Sequence, residues 1–156
     1  MMAERWSDIL GEIDSAKRHF CSAARINGQA PADVTTNEGY DSAMAFQHAM
    51  LAGYTSFENA VRRILSLLNE ELPVGPDWHA ALLRRIAQPL PQRRPAMFGA
   101  QLIKAAFDLM RFRHVAMHAY DGFDFALAAP AMMAAETFLD RIDGELAAFR
   151  AAIDPD

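Results

Sequence analysis

Residues 37–70, NEGYDSAMAFQHAMLAGYTSFENAVRRILSLLNE, repeat apolar side chains at spacings of mostly three or four residues. This period places the apolar side chains on one face of a helix. The predicted stripe consists of Met44, Leu51, Tyr54, Phe57, Val61, Ile64, Leu65 and Leu68. The pair Thr35 and Thr36 favours a cap before the segment, and Pro73 ends it. A long helix with one apolar face predicts a helical protein.

Further helices are predicted on both sides of this segment. Their expected bounds are residues 4–26, residues 77–87 with Asp77 as N-cap, residues 96–120, and residues 129–153. Residues 88–95, QPLPQRRP, are expected to form a loop. Because the chain shows no internal repeat and no alternating strand pattern, we predict an all-α single domain over residues 1–156. Its expected architecture is a four- or five-helix up-and-down bundle.

Composition and charge narrow the class of protein. The chain is 52% hydrophobic, which is enough for a core, and its net charge of −5 argues against a protein that coats nucleic acid. No apolar run approaches the roughly 18 to 20 residues of a membrane span. The N-terminus also lacks the pattern of a secretory signal, so we expect a cytoplasmic protein that does not enter a membrane. Cys21 is the only cysteine, which excludes an intrachain disulfide and a multi-cysteine zinc site.

Residues 112–120, FRHVAMHAY, bring charged and ring side chains to the end of the fourth predicted helix. At about 100° per residue, the apolar stripe of this helix continues into polar residues, which are Arg113, His114, His118 and Asp121. The opposite side is apolar and is expected to be covered by the bundle; it consists of Phe112, Val115, Ala116 and Ala119. One Arg and two His are costly to desolvate unless they are paired or functional, so their side should face a cleft or a partner chain.

Three interpretations of the two histidines stay open. They can be hydrogen-bonded residues near a helix C-terminus, where the macrodipole favours a positive imidazolium. His114 and His118, at i and i+4, can bind a metal together with Asp121, although the Glu of H-E-x-x-H is missing. Arg113 and His118 can also form a site that cuts RNA without a metal, because they occur in the spacing Arg-x4-His-x-Tyr. The imidazole would transfer protons, and the guanidinium would stabilise the phosphorane.

Roughly half of the chain, from about residue 46 to 125, resembles the HepT-like branch of the HEPN superfamily. The segments that carry the resemblance are FENAVRRIL at 57–65, LPVGPDWHAALLRRI at 72–86, RRP at 93–95, and FRHVAMHAY at 112–120. The resemblance implies a ribonuclease toxin that uses no metal or cofactor, with Arg113 and His118 as catalytic residues and His114 at the polar position after the Arg. Relatives often carry a basic residue where this chain has Met117.

The same resemblance implies partners. It implies a homodimer in which two copies of the motif face each other, and a nucleotidyltransferase antitoxin of the MntA kind that adenylylates Tyr120. Packing at the helix end is the alternative role of that tyrosine. The alternative function of the chain is a non-catalytic helical adaptor that binds a nucleotidyltransferase or a nucleotide. Met117 and the acidic total charge both favour the adaptor.

Residues outside the motif are candidates for supporting roles. Residues 84–114 carry seven Lys and Arg side chains against one acid, so a local basic surface can exist. Its candidates for holding an RNA backbone are Arg93, Arg94 and Arg111, and solvated charges are the alternative. Glu58 can orient an imidazole or Arg113, and an ion pair with Arg62 is the simpler explanation. Two further residues are predicted to be structural, Trp78 as a core anchor and His79 as part of a helix start.

Overall fold

The computed structural model describes residues 2–29, 33–117 and 128–155, together with the backbone of His118. These residues form five α-helices and no β-strand, which confirms the predicted all-α class. The helices are α1 (Met2–Gln29), α2 (Asn37–Leu67), α3 (Trp78–Ile86), α4 (Ala100–His118) and α5 (Ala129–Ile153). Within the described ranges, no helix has the length and apolar character needed to cross a membrane.

The ends of α2 follow from local hydrogen bonds. Thr36 caps its start, since Oγ1 of Thr36 accepts a hydrogen bond from the Gly39 amide at 3.0 Å. The helix ends at Leu67, three residues before the predicted end. Asn69 adopts a positive φ of 57°, and the Glu70 amide turns back to the Leu65 carbonyl at 2.9 Å. These bonds satisfy carbonyl groups that the end of a helix leaves open.

The short segment before α4 is not helical, although the sequence predicted a start at residue 96. The Met97 amide donates to the carbonyl of Ile86 at the end of α3, at 2.8 Å, and the Gly99 amide donates to Oε1 of Glu145. Both amides are therefore used for tertiary contacts, and α4 begins at Ala100. Asp77 occupies the N-cap position of α3 as predicted, but its side chain accepts no capping hydrogen bond.

The long helices pack side by side in alternating directions. Ser15 of α1 contacts Ser56 of α2 at 3.0 Å, while Glu12, nearer the start of α1, contacts Arg63, nearer the end of α2. This reversed order makes α1 and α2 antiparallel. α4 packs against both α2 and α5, α5 returns to α1, and the short α3 lies against α4. The described helices therefore form an up-and-down bundle of four long helices with one short helix at its side.

The core is organised around aromatic rings. Phe57 of α2 meets Phe138 of α5 edge-on, with ring centroids 5.1 Å apart, and lies 6.0 Å from Phe98 just before α4. Phe138 in turn meets Phe20 of α1 edge-on at 5.1 Å. Pairs in this geometry add about 0.5–1.5 kcal/mol each beyond their burial. One ring cluster thus ties together three helices and the segment that starts the fourth.

The predicted apolar stripe of α2 is correct apart from a local shift near the start of the helix. In α2, Met44 and Leu51 are only half-buried, and the fully covered side chains near the start of the helix are those of Phe46 and Met50. These two residues continue the row of Tyr54 and Phe57 at spacings of three and four residues, so they meet the neighbouring helices where Met44 and Leu51 do not.

α1 and α2 approach each other closely at Gly53. A Cβ atom added there would lie 2.7 Å from Cε1 of the Phe20 ring, which is closer than side chains tolerate. The ring cannot easily move aside, because Phe20 is fully buried and rests on Phe138. Glycine is therefore required at this position for a packing reason.

A buried ion pair joins the end of α2 to the loop before α4. Arg94 is 1% exposed and holds both carboxylate oxygens of Glu70, through Nε at 2.5 Å and Nη2 at 3.0 Å. The remaining guanidinium donors reach the carbonyls of Gln88, Pro95 and Arg85. All five donors of Arg94 are thus used inside the protein. The predicted role of Arg94 in holding RNA is therefore wrong for this structure, because its guanidinium has no surface left for a phosphate.

We expect Gly53→Ala to lower the free energy of unfolding by about 1–3 kcal/mol, because the new methyl group overpacks a closed contact. Gly144→Ala is the matched control, since Gly144 also lies within a helix and a Cβ there meets nothing within 4 Å. That control should raise stability by about 0.5–1 kcal/mol. Urea denaturation followed by circular dichroism measures both, and equal effects of the two substitutions would contradict the packing argument.

We expect Arg94→Ala to cost about 3–5 kcal/mol of stability, because it leaves the Glu70 carboxylate buried without a partner. Its neighbour Arg93 is exposed, so Arg93→Ala should change stability by less than about 0.5 kcal/mol. The same denaturation experiment compares the two variants. If both variants unfold at the same urea concentration as the wild-type protein, the ion pair does not stabilise the fold.

Candidate functional site

The motif lies where α4 leaves the core. Upstream, α4 is firmly buried, with Leu102 and Ala106 at 0% exposure. From residue 111 to residue 117, no side chain is buried to that degree. Phe112 still packs edge-on against Phe46 of α2, at 5.8 Å between ring centroids. Val115, however, is 59% exposed, so the prediction that the bundle covers the whole apolar side of the motif is wrong at that residue.

Arg113 is held against α2 rather than extended into solvent. Its side chain is half-buried, and its Nε donates to Oγ1 of Thr55 at 3.3 Å. His114, the next residue, is exposed. The side chain of His118 lies outside the described residues, as do Tyr120 and Asp121. The structure therefore positions the guanidinium of the predicted catalytic pair.

Tyr54, the residue before Thr55, contributes a buried hydroxyl. Its side chain is 0% exposed, so the hydroxyl is held inside the protein and away from water. Burial raises the pKa of this hydroxyl, and the negative charge of Glu58 raises the pKa further, while the positive charge of Arg113 acts in the opposite direction. The Tyr54 hydroxyl therefore remains protonated and lies within the electrostatic reach of both Glu58 and Arg113.

Glu58 lies one helical turn after Tyr54 and is 5% exposed. Its Oε2 is 2.6 Å from Nδ1 of His79 on α3. The predicted alternative, an ion pair with Arg62, is wrong, because Arg62 instead lies over the Trp78 ring at 5.2 Å. Glu58 does orient an imidazole, as the sequence suggested, but the imidazole belongs to α3 and not to the motif.

His79 is fixed from two directions. Glu58 holds Nδ1, and the ring stacks on Trp78 with centroids 3.7 Å apart and an interplanar angle of 28°. The His79 side chain is 29% exposed, so the ring reaches the surface. We call the group formed by Tyr54, Glu58, His79 and Arg113 the polar cluster. It combines a phenol, a carboxylate, an imidazole and a guanidinium from three different helices.

The remaining predicted basic residues do not join this cluster. Arg93 is exposed in the loop before α4, and Arg94 is buried in its ion pair with Glu70. Arg111 is 66% exposed and pairs with Asp108 one turn earlier, at 2.9 Å. The basic segment of the sequence is therefore distributed over separate environments. Of its three candidates for RNA binding, Arg93 and Arg111 are exposed at the surface, as are Arg84 and Lys104 of the same segment.

The metal interpretation gains no further ligands from the described residues. Across residues 2–29, 33–117 and 128–155, no three His, Cys, Asp or Glu side chains come together in a way that could hold a metal ion. Two members of the proposed set, His118 and Asp121, lie outside those residues. His114 is the only member that the structure places.

Sequence reasoning missed two members of the cluster, Tyr54 and His79. It assigned the tyrosine to the apolar stripe and the histidine to a helix start. One signal was present: Glu58 lies between Phe57 and Val61 on a face that is otherwise apolar. A carboxylate there requires a buried partner. The identity of that partner depends on how α3 docks, which the sequence does not reveal.

A family model described as HepT-like protein matches residues 45–153 of the chain. No curated protein and no solved structure matches it. The matched region includes most of α2 and all of α3, α4 and α5. It therefore covers every residue of the polar cluster and more than half of the chain, and we conclude that this protein belongs to the HepT-like family of the HEPN superfamily.

Proposed function

We propose that this protein is a metal-independent endoribonuclease that acts as a toxin. The observation that carries the proposal is the placement of Arg113, which is half-buried against α2, where it donates to Thr55 and its charge acts on the Tyr54 hydroxyl. Ionisable groups in such surroundings are costly to maintain, and they concentrate at functional sites. Membership of the HepT-like family supports the same conclusion.

The proposed reaction uses the 2′-hydroxyl of the RNA as the nucleophile. This oxygen attacks the adjacent phosphorus, the bond from phosphorus to the 5′-oxygen breaks, and a 2′,3′-cyclic phosphate and a 5′-hydroxyl result. His118 takes part in proton transfer, and Arg113 stabilises the charge that builds on the phosphoryl oxygens. A guanidinium suits this role because its planar fork can contact two phosphate oxygens at once.

Two copies of the chain would form the active unit. Val115 and Met117 within the motif are 59% and 43% exposed, and Tyr40 near the start of α2 is 55% exposed. Large apolar side chains at the surface favour association with another protein surface. A two-fold axis through this region would place the two motifs opposite each other.

The proposed regulator is a nucleotidyltransferase antitoxin of the MntA kind that adenylylates Tyr120. The added adenylyl group carries a phosphate close to the motif. It would exclude the RNA phosphate both by its volume and by repulsion between like charges.

We expect the purified protein to cut single-stranded RNA in excess EDTA and to leave DNA intact, because only RNA supplies the 2′-hydroxyl. Arg113→Ala and His118→Ala should each lower kcat by about 100- to 10,000-fold. His114→Ala should have a milder effect, since this side chain is assigned only an orienting role. Arg141→Ala is the control, because Arg141 is exposed on α5 and belongs to neither the motif nor the polar cluster. Its partner is Glu145 on the same helix, which also contacts the segment before α4. Gel analysis and mass spectrometry of the cut ends measure the rates and the cyclic phosphate.

Other outcomes of this experiment distinguish the alternatives. Cleavage that stops with EDTA and returns with zinc would support the metal site of His114, His118 and Asp121. Absence of cleavage, combined with a stable complex with a nucleotidyltransferase, would support the adaptor. Light scattering on the same sample reports whether the chain is dimeric, and a monomer that cuts RNA at full rate would contradict the shared site.

We expect incubation with the cognate nucleotidyltransferase and ATP to add one adenylyl group and to abolish RNA cleavage. Tyr120→Phe should remain unmodified and active, whereas Tyr40→Phe, which alters an exposed tyrosine on α2, should be modified like the wild type. Intact-mass spectrometry reads the modification directly. Modification of the Tyr120→Phe variant would show that another residue is the acceptor.

A further inference from the structure

We propose that His79, oriented by Glu58, is a further catalytic residue, the general base that takes the proton from the 2′-hydroxyl of the RNA. This inference rests on the proposed ribonuclease function and adds a residue that lies on α3, outside the motif. Four features of the structure support it: the bond to Glu58, the fixed plane of the ring, the partial exposure of the side chain, and the connection to Arg113.

The bond to Glu58 determines which ring nitrogen is available. Nδ1 of His79 lies 2.6 Å from Oε2 of Glu58. An ionised carboxylate only accepts hydrogen bonds, so Nδ1 carries the proton and donates it. In the neutral form of the ring, Nε2 then keeps a lone pair. A carboxylate in this position fixes both the tautomer and the direction of an imidazole, which is the arrangement that a general base requires.

The ring is held in one plane at the surface of the protein. It stacks on Trp78 at 3.7 Å, and the guanidinium of Arg62 lies over the same indole at 5.2 Å. Glu58 is 5% exposed, whereas the His79 side chain is 29% exposed. Because the carboxylate side of the ring is buried, the exposed part of the side chain is available to a ligand. A base held in this way loses little freedom when substrate binds.

Arg113 and His79 are connected through adjacent residues of α2. Arg113 donates to Thr55, and its charge acts on the Tyr54 hydroxyl, on which the charge of Glu58 also acts. Positions 55 and 58 are neighbours on a helix surface, with Cβ atoms about 5–6 Å apart. The guanidinium that would hold the phosphate and the imidazole that would remove the proton thus border the same stretch of α2.

The proposed step balances in protons and bonds. Nε2 of His79 accepts the proton of the 2′-hydroxyl while the bond from the 2′-oxygen to phosphorus forms. The bond from phosphorus to the 5′-oxygen breaks, and the leaving oxygen takes a proton from His118. Two imidazoles in complementary protonation states therefore complete one turnover. After the product leaves, His79 releases its proton to water and His118 takes one up from water, which restores both.

A purely structural role for His79 makes different predictions. The pair of Glu58 and His79 could simply hold α3 against α2. In that case, substitution of His79 would lower stability, but the ring would not respond to RNA and a free imidazole would not replace it. The experiment therefore needs measurements that a structural pair would leave unchanged.

The first measurement is steady-state cleavage of single-stranded RNA by the full-length protein. We expect His79→Ala to lower kcat by about 100- to 10,000-fold with little change in KM, and added imidazole to restore part of the rate. His48→Ala is the matched control, because His48 is an exposed histidine on α2 outside the polar cluster. Circular dichroism checks that each variant is folded.

The second measurement needs no variant. A single-stranded oligonucleotide with 2′-O-methyl riboses binds like RNA but cannot be cut, because its nucleophile is blocked. We expect its addition to shift the Cε1–H resonance of His79 in the wild-type protein, while the resonance of His48 stays in place.

The outcomes separate this inference from the proposed function. Suppose that the wild-type protein cuts RNA. If His79→Ala then retains the wild-type kcat, or if the His79 resonance does not shift when the oligonucleotide binds, His79 is not the base and the proposed function still holds. If the wild-type protein does not cut RNA, both proposals fail. Loss of kcat with recovery by imidazole, together with the resonance shift, is the result that supports His79.

Discussion

The packing of Phe57 is the interaction on which the rest of the structure depends. Its ring touches Phe138 of α5 and Phe98 before α4, and Phe138 extends the cluster to Phe20 of α1. The position of each long helix is therefore tied to the same group of rings. Because aromatic side chains in a core occupy defined rotamers and leave few gaps, the helices have little freedom to slide or rotate against one another. This rigidity is what allows a polar site to be built beside the core.

The polar cluster begins at the residue that follows Phe57. Glu58 turns away from the rings toward α3, and a carboxylate with 5% exposure would destabilise the fold if it lacked a partner. His79 supplies that partner at 2.6 Å. The Tyr54 hydroxyl is buried within the electrostatic reach of Glu58 and Arg113, and Arg113 lies half-buried against α2. Replacing such buried polar groups by well-packed apolar side chains is often neutral or stabilising. Groups of this kind concentrate at functional sites, which is why the cluster supports the proposed function.

The basic residues show that the charge of a sequence segment does not reveal which of its side chains form a charged surface. Arg94 belongs to the most basic segment of the chain, yet its five donors stabilise the turn between α3 and α4. Arg111 is paired with Asp108. By contrast, Arg113 lies against a neutral hydroxyl on α2 and keeps its charge available to the cluster. The function of each guanidinium depends on the partner that folding brings to it and not on the local density of charge.

The sequence by itself determined the helical class, the positions of the five helices to within a few residues, and the family, because helix period, turn residues and motif spacing are local properties of the chain. It also named Glu58 as a residue that can orient an imidazole, although an ion pair with Arg62 was the simpler explanation. It did not determine that His79 would meet Glu58, that Thr55 would hold Arg113, or that Arg94 would be buried. Those contacts join residues between 21 and 58 positions apart. Only the tertiary structure decided them, because the docking of α3 and α4 on α2 is set by the packing of the whole core, to which each local segment contributes only one face.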